Sequence, residues 1–386
     1  MKKLLLLSIF ATLVAMGCEP AEPDDSNQTQ NPEEQNPETP GDGDAEDPED
    51  PAGGEEVEKK PDVLPELPFE YDWTIVAADG SGDYKTLTEA LTKLKGTPIY
   101  HIIHIRPGTY YEKVKVYRSK VILYGDDPET TILTYDDYAG RPLNSTGTST
   151  VGTQNSASFT INGTEFTAIN VTFQNTHVNM SGSGDQAVAV AVMDDRAAFY
   201  NCRLMGYQDT FYPKNEARVY CKDCYIEGNV DFICGDAALL CENCTLCANR
   251  NDTPITAPST NPKSQFGFVF MDCKITSLPG KDFRGNDIEK IYLGRAWKEG
   301  ARAVYIRCEE PANLSPDGWR DRMSADAVEA LFAEYQCTGA GAAADRLSQR
   351  KNNGRELTDE EAAEYTRDNI FTRNNIVWTP IEPFSL

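Results

Sequence analysis

Residues 199–244 read FYNCRLMGYQDTFYPKNEARVYCKDCYIEGNVDFICGDAALLCENC, and in them a short apolar or aromatic pair, a polar residue and a cysteine keep returning. The pattern stands at Phe199–Cys202, Cys221–Cys224 and Cys241–Cys244, and again at Phe270–Cys273 and Tyr305–Cys308. The early intervals are about twenty residues, a unit that cannot close its own core and must stack on its neighbours. Short apolar strands separated by Gly, Asn and Asp lie on either side: His101–Arg106, Lys120–Gly125, Phe166–Phe173, Ala187–Met193, Arg218–Ile226 and Phe266–Ile275. Many strands and few helices predict an all-β domain, a right-handed parallel β-helix built coil upon coil.

Three helices are expected beside the coils. Leu87, Ala90, Leu91 and Leu94 share one helical face, as do Val328, Leu331, Phe332 and Tyr335, and Thr358 with Glu361 forms a capping-box signature. The first is expected to cap the N-terminal end of the solenoid and the other two to pack across its C-terminal part.

The ends bound the domain. Lys2 and Lys3, the apolar run Leu4–Val14 and the small residues before Cys18 read as an export signal too short to span a bilayer. Ala15, Met16, Gly17 and Cys18 resemble a bacterial lipobox, which implies cleavage after residue 17 and lipidation of Cys18. Residues 18–68 are dominated by Pro, Glu, Asp, Asn and Gln up to about Lys60, a composition that buries too little apolar surface to offset ordering and is expected to form an extended tether. Residues 69–386 are expected to form the folded domain, exported and held at the outer membrane, on its periplasmic or cell-surface face, by the N-terminal lipid alone. Of the net charge of −25, residues 1–60 hold sixteen acidic side chains against four lysines, leaving −13 for the remainder. Nothing in that balance suggests a nucleic-acid partner.

The chain has eleven cysteines, and Cys221, Cys224, Cys241 and Cys244 match the spacing of a zinc ribbon. The two CxxC pairs fall at equivalent places in consecutive coils, so Cys224 lies over Cys244 at about one strand spacing, ~4.8 Å. A stacked ladder or a disulfide explains the spacing without metal, and export permits oxidation, so a Cys224–Cys244 disulfide is expected. No metal or organic cofactor is implied.

Asp209 and Asp231 are twenty-two residues apart, about one coil, and so sit side by side on one face. Two neighbouring carboxylates cannot ionise equally, and a cation beside one of them separates their roles. Five motifs then acquire a common meaning: GTYYE at Gly108–Glu112, QAVAV at Gln186–Val190, GYQDT at Gly206–Thr210, GNVDFICG at Gly228–Gly235 and LGRAW at Leu293–Trp297. In order and approximate spacing they resemble the pectin methylesterase family, over about Ile75–Trp378. The resemblance implies hydrolysis of methyl esters of polygalacturonate. It pairs Arg295 with Asp231, which becomes the nucleophile, leaves Asp209 as acid and then base, and places Gln186 and Gln208 as the oxyanion hole. Trp297, two residues after Arg295 and so on the same side of a strand, suits a sugar ring, and Tyr212 is expected in the same cleft. The GTYYE stretch reads chiefly as structure, with Gly108 in a turn and Glu112 meeting backbone donors.

The chain departs from the family pattern at Ala296 for proline, Pro258 for glutamine and Cys234 for phenylalanine. Three histidines and no GxSxG elbow speak against a serine esterase. A glycosidase or lyase on the same solenoid leaves Gln186, Gln208 and Arg295 unexplained, and a non-catalytic envelope relative leaves the complete set unexplained. The expected partner is methyl-esterified homogalacturonan, met by a monomer. The acidic domain should repel polygalacturonate unless a basic cleft around Arg295, with Lys298 and Arg302 near it in sequence, outweighs the global charge.

Overall fold

The computed structural model describes residues 66–96, 98–178, 180, 184–323 and 330–384. The expected export signal, Cys18 and most of the expected tether lie outside them. Three parallel sheets of eleven, seven and seven strands make up the solenoid, its middle coils adding one strand to each sheet while the ends extend the largest sheet alone. The expected parallel β-helix is thus present. Several apolar stretches that read as single strands are two strands around a corner, as in Phe166–Ile169 with Thr172–Asn175 and Arg218–Lys222 with Tyr225–Gly228.

The corner explains the cysteine repeat. Asn201, Asp223, Asn243, Asp272, Arg307 and Gln336 all have φ between 48° and 56°, and each is followed at once by a cysteine: Cys202, Cys224, Cys244, Cys273, Cys308 and Cys337. Asn and Asp tolerate this left-handed conformation best, which is why they hold four of the six corners. The cysteine side chain turns inward, and its Sγ meets backbone carbonyls at the strand end: Cys224 Sγ lies 3.4 Å from the carbonyls of Phe199 and Lys222, and Cys273 Sγ 3.4 Å from that of Cys241. Asn201 also donates to the Asn170 side chain one coil earlier at 2.8 Å.

The expected Cys224–Cys244 disulfide is not formed, and both are free buried thiols. In-register parallel stacking keeps their Cβ vectors parallel at one strand spacing, about 4.8 Å, whereas a disulfide needs convergent vectors and Cβ atoms about 3.8 Å apart. The Cys224 N–H instead donates to Cys244 Sγ at 3.4 Å. Among the described residues no group of side chains is arranged to hold a metal ion. Mass spectrometry of unreduced, alkylated peptides should find both thiols alkylated; a 224–244 cross-linked peptide would contradict the stacked geometry.

Interior columns follow the register. Ile103, Leu123, Ala168, Phe199, Cys221, Cys241, Phe270 and Tyr305 stack in the eleven-stranded sheet, and the next position is Glu334. At the N-terminal end the helix Leu87–Lys93 buries Leu87 and Ala90 over the open coil, as expected. Glu112 accepts from the backbone N–H groups of Leu87 and Thr88, both at 2.9 Å, satisfying two donors at that helix start. Gly108 opens the strand Gly108–Tyr111 instead of making a turn.

At the C-terminal end the helix expected over Val328, Leu331, Phe332 and Tyr335 is a strand, Leu331–Tyr335, parallel to Arg302–Ile306; Val328 lies outside the described residues. Short apolar runs carry no decisive period, and the open edge of a parallel sheet supplies hydrogen-bond partners that favour another strand. The helix Asp359–Ala363 does form behind its Thr358–Glu361 capping box. It and the helix Arg367–Phe371 begin a tail that packs on the outer face of the large sheet, Tyr365 on Phe266, Phe371 on Tyr220 and Phe384 on Tyr124.

Candidate active site

The corner between the two seven-stranded sheets holds Asp209 and Asp231. The strands ending at Met205 and Gly228 lead through it to Phe211–Pro213 and Ile233–Gly235. Asp209 has φ 63° and Asp231 φ 56°, left-handed at equivalent points of successive coils. Such backbone is costly for a residue with a Cβ and turns the side chain out of the wall. The pairing of Phe211 with Ile233 fixes the twenty-two-residue offset that stacks Asp209 on Asp231. Their backbone N–H groups bond to carbonyls one coil further on, of Val230 at 3.2 Å and Pro254 at 2.9 Å.

Arg295 reaches Asp231 with two hydrogen bonds, Nε to Oδ1 at 2.8 Å and Nη2 to Oδ2 at 2.5 Å. Asp231 is 3 % exposed. Burial raises its carboxyl above the ordinary value, while Arg295, with Arg320 beyond it, opposes the rise. Asp209 keeps a partly exposed edge but no paired cation. Burial first, and the charge of Asp231 second, push Asp209 well above the carboxylate range; Arg295 and a hydrogen bond from the Cys234 thiol only partly offset them. The pair therefore divides into an arginine-bound carboxylate and a neighbour that keeps its proton. That is an arrangement for nucleophilic attack assisted by acid–base catalysis.

Gln208 lines the cavity on the Arg295 side. Gln186 stands one coil earlier, its carbonyl accepting from Ala139 N–H at 2.8 Å, while Gln208 accepts from Ala187 N–H at 3.0 Å. On the other side Tyr212, Cys234 and Ala257 are adjacent in register on the outer wall, and Trp297 packs against them. The Tyr212 and Trp297 rings lie 6.4 Å apart at 38°, a tilted pair, so the two residues expected in one cleft do stand side by side. Cys234 supplies a smaller apolar surface in this wall than a phenylalanine would.

Two sets of residues escaped the sequence reading. Lys214 Nζ lies 5.8 Å from the Tyr212 ring and 5.7 Å from that of Trp297, joining the cation expected at Lys298, 5.5 Å from Trp297. Arg250, Arg284, Arg320 and Arg322 line the Arg295 side. Arg302, expected in the cleft, belongs instead to the strand Arg302–Ile306 of the large sheet. The four arginines come from three loops, with Arg320 and Arg322 sharing one, so no single local motif marks them. For Lys214, its place two residues after Tyr212, just past the end of the strand Phe211–Pro213, is the only signal.

A sequence model of the Pectinesterase family matches residues 73–374. The chain is 37% identical over 306 residues to a putative pectinesterase/pectinesterase inhibitor 28 of Arabidopsis thaliana, covering 76% of this chain and 39% of that protein. It thus spans about two fifths of that relative's length. To pectinesterase 31 of the same plant it is 36% identical over 298 residues, 75% of this chain and 89% of the relative. Among solved structures it is similar to the pectin methylesterase PemA of Erwinia chrysanthemi, with a TM-score of 0.67 at 26% identity, covering 81% of this chain and 99% of that one. With the family model matching 302 of its 386 residues, this chain belongs to the pectinesterase family.

Proposed function

We propose that this protein hydrolyses the methyl esters of polygalacturonate, releasing pectate and methanol. The observation that carries the reading is the asymmetric aspartate pair: one coil apart, with Arg295 bound to Asp231 alone. Asp231 attacks the ester carbonyl carbon and forms a tetrahedral intermediate whose oxyanion takes hydrogen bonds from Gln186 and Gln208. The C–O bond to methanol breaks as Asp209 gives its proton to the departing oxygen. Water then attacks the resulting anhydride, losing a proton to Asp209 and freeing Asp231. Trp297 and Tyr212 hold the sugar rings.

The test is methanol release from highly methylated pectin by the full chain, with chain length followed in parallel. Methanol without shortening supports an esterase; shortening without methanol would move the protein to a glycosidase or lyase. Gln208→Ala should lower kcat by about 10²-fold with little change in KM, because a donor aimed at the oxyanion acts in the transition state. An effect confined to KM would assign Gln208 to ground-state binding instead.

For location we propose export and lipid anchoring through Cys18, supported by the apolar run Leu4–Val14 and the small residues before the cysteine. Metabolic labelling with a radioactive fatty acid should mark the parent and not Cys18→Ala; an unlabelled parent would leave a cleaved secretory signal as the reading.

A further inference from the structure

The loop Gly206–Thr210 carries both Gln208 and Asp209, and its hold on the following coils passes through a side chain that the chemistry does not use. Asn249 follows the strand Thr245–Ala248, at the same corner one coil beyond Asp231, and is 5 % exposed. Its backbone N–H donates to the Gly228 carbonyl at 2.8 Å. Its side-chain Nδ2 donates to the Gly206 carbonyl, 43 residues back, at 2.9 Å and to Glu227 Oε1 at 3.1 Å. One amide thus ties three consecutive coils: its own, that of Asp231 and that of Asp209. Its Oδ1, by contrast, is buried without a hydrogen-bond partner. A buried acceptor without a donor is destabilising, so stability alone does not account for an asparagine here.

The two carbonyls that lead into Gln208 are both fixed. Asn249 holds that of Gly206, and that of Tyr207 accepts from Thr210 Oγ1 at 3.1 Å and from the Asn229 N–H at 2.8 Å. The loop has no slack toward the coil beneath it, because a Cβ on Gly228 would meet Thr210 Oγ1 at 2.5 Å and the Tyr207 carbonyl oxygen at 2.6 Å. Without the Asn249 bond the peptide after Gly206 can turn away from that coil, and Gln208 and Asp209 move with it. We infer that Asn249 is a positioning residue, which sets the spacing of Asp209 over Asp231 and the aim of Gln208 through the Gly206 carbonyl. It lies outside all five sequence motifs. A shift of about 1 Å in a catalytic group can cost ~10²-fold in rate, so one remote hydrogen bond is enough to matter. The kinetic consequence rests on the esterase reading; the anchoring of the loop does not.

The test compares the full-length parent with Asn249→Ala, Asn249→Leu and Glu227→Gln. In methanol release from methylated pectin both Asn249 variants should lose about tenfold in kcat with little change in KM, the effect of one hydrogen bond that counts in the transition state. Leucine keeps nearly the volume of asparagine, so a parental kcat in Asn249→Leu would make packing the cause and overturn the inference. Glu227→Gln removes the charge from the second acceptor and leaves the Gly206 bond in place. It should keep the parental kcat, and a fall equal to that of Asn249→Ala overturns the inference. The Tm of Asn249→Ala should move by less than about 3 °C, because the unpartnered Oδ1 is lost together with the bonds. A clear fall in Tm with kcat intact would make Asn249 merely structural. Hydrogen exchange reads the loop without substrate: its amides, among them Asp209 N–H bonded to the Val230 carbonyl at 3.2 Å, should exchange about tenfold faster in both Asn249 variants, with the large sheet unchanged. Unchanged loop exchange, or unchanged kcat in both variants, overturns the inference. If the loop loosens as expected but the parent releases no methanol from any pectin, Asn249 still positions the loop and the esterase reading falls.

Discussion

Asp231→Ala should reduce methanol release from methylated pectin by about 10⁴-fold or more, as loss of a covalent nucleophile does. Asp231 is the carboxylate that the two bonds from Arg295 aim and keep charged, and no other described carboxylate is shown bonded to that guanidinium. Asp209→Ala should be nearly as severe, because the methoxide then departs without a proton donor. Neither change should unfold the domain. Arg295 remains 22% exposed in its side chain, so water can solvate it when Asp231 is gone, and Asp209 holds a neutral carboxyl that alanine can replace without stranding a charge. Circular dichroism and melting curves should match the parent. A variant that keeps more than about a tenth of parental turnover in this comparison loses its assigned role.

The second large effect concerns stability. Arg350 is enclosed between Glu310, 2.9 Å away, and Glu334, at 2.6 Å, with all three side chains at most 1% exposed. One guanidinium cannot balance two buried carboxylates. Burial and the neighbouring Glu334 push Glu310 up to about 10, so it retains a proton in neutral solution. Between its ordinary value of 4.5 and about 10 the folded state holds a proton that the unfolded chain releases, so stability falls as pH rises through that window. Glu310→Gln imitates the protonated acid and removes this dependence. Its Tm should equal that of the parent near pH 4 and exceed it at pH 9; the same difference at both pH values would show that Glu310 does not hold the proton. Arg350→Ala leaves the acids without their cation and should cost about 3–5 kcal/mol, roughly 10 °C in Tm. If Tm moved by less than 2 °C, the triad would not be holding the last coils together.

Residues 199–244 display the coil interval, the polar corner residue and the inward cysteine, because every unit meets the same steric demand at the same place. Asp209 and Asp231 were legible for that reason: an offset of one coil is a distance along the chain as well as in space. Leu331–Tyr335 shows where such reading stops. Its apolar spacing suits a helix, and the strand appears only once Arg302–Ile306 offers an open edge. As a strand it turns Glu334 into the interior column beyond Tyr305, where Arg350 must meet it, and nothing in the helical reading anticipates that buried acid.

The expected disulfide failed on a related point. Equivalent positions in consecutive coils were correctly read as Cys224 above Cys244, but register gives proximity without orientation, and parallel Cβ vectors leave thiols stacked. Local repetition therefore carried the solenoid, the aspartate pair and the corner chemistry, since each depends on contacts between residues at one fixed interval. The arginine cavity, the cation shared by Tyr212 and Trp297, and the Glu310–Glu334–Arg350 triad join segments from 16 to more than 70 residues apart. Their charges meet only through packing of unequal excursions, and no interval along the chain records which of them will face one another.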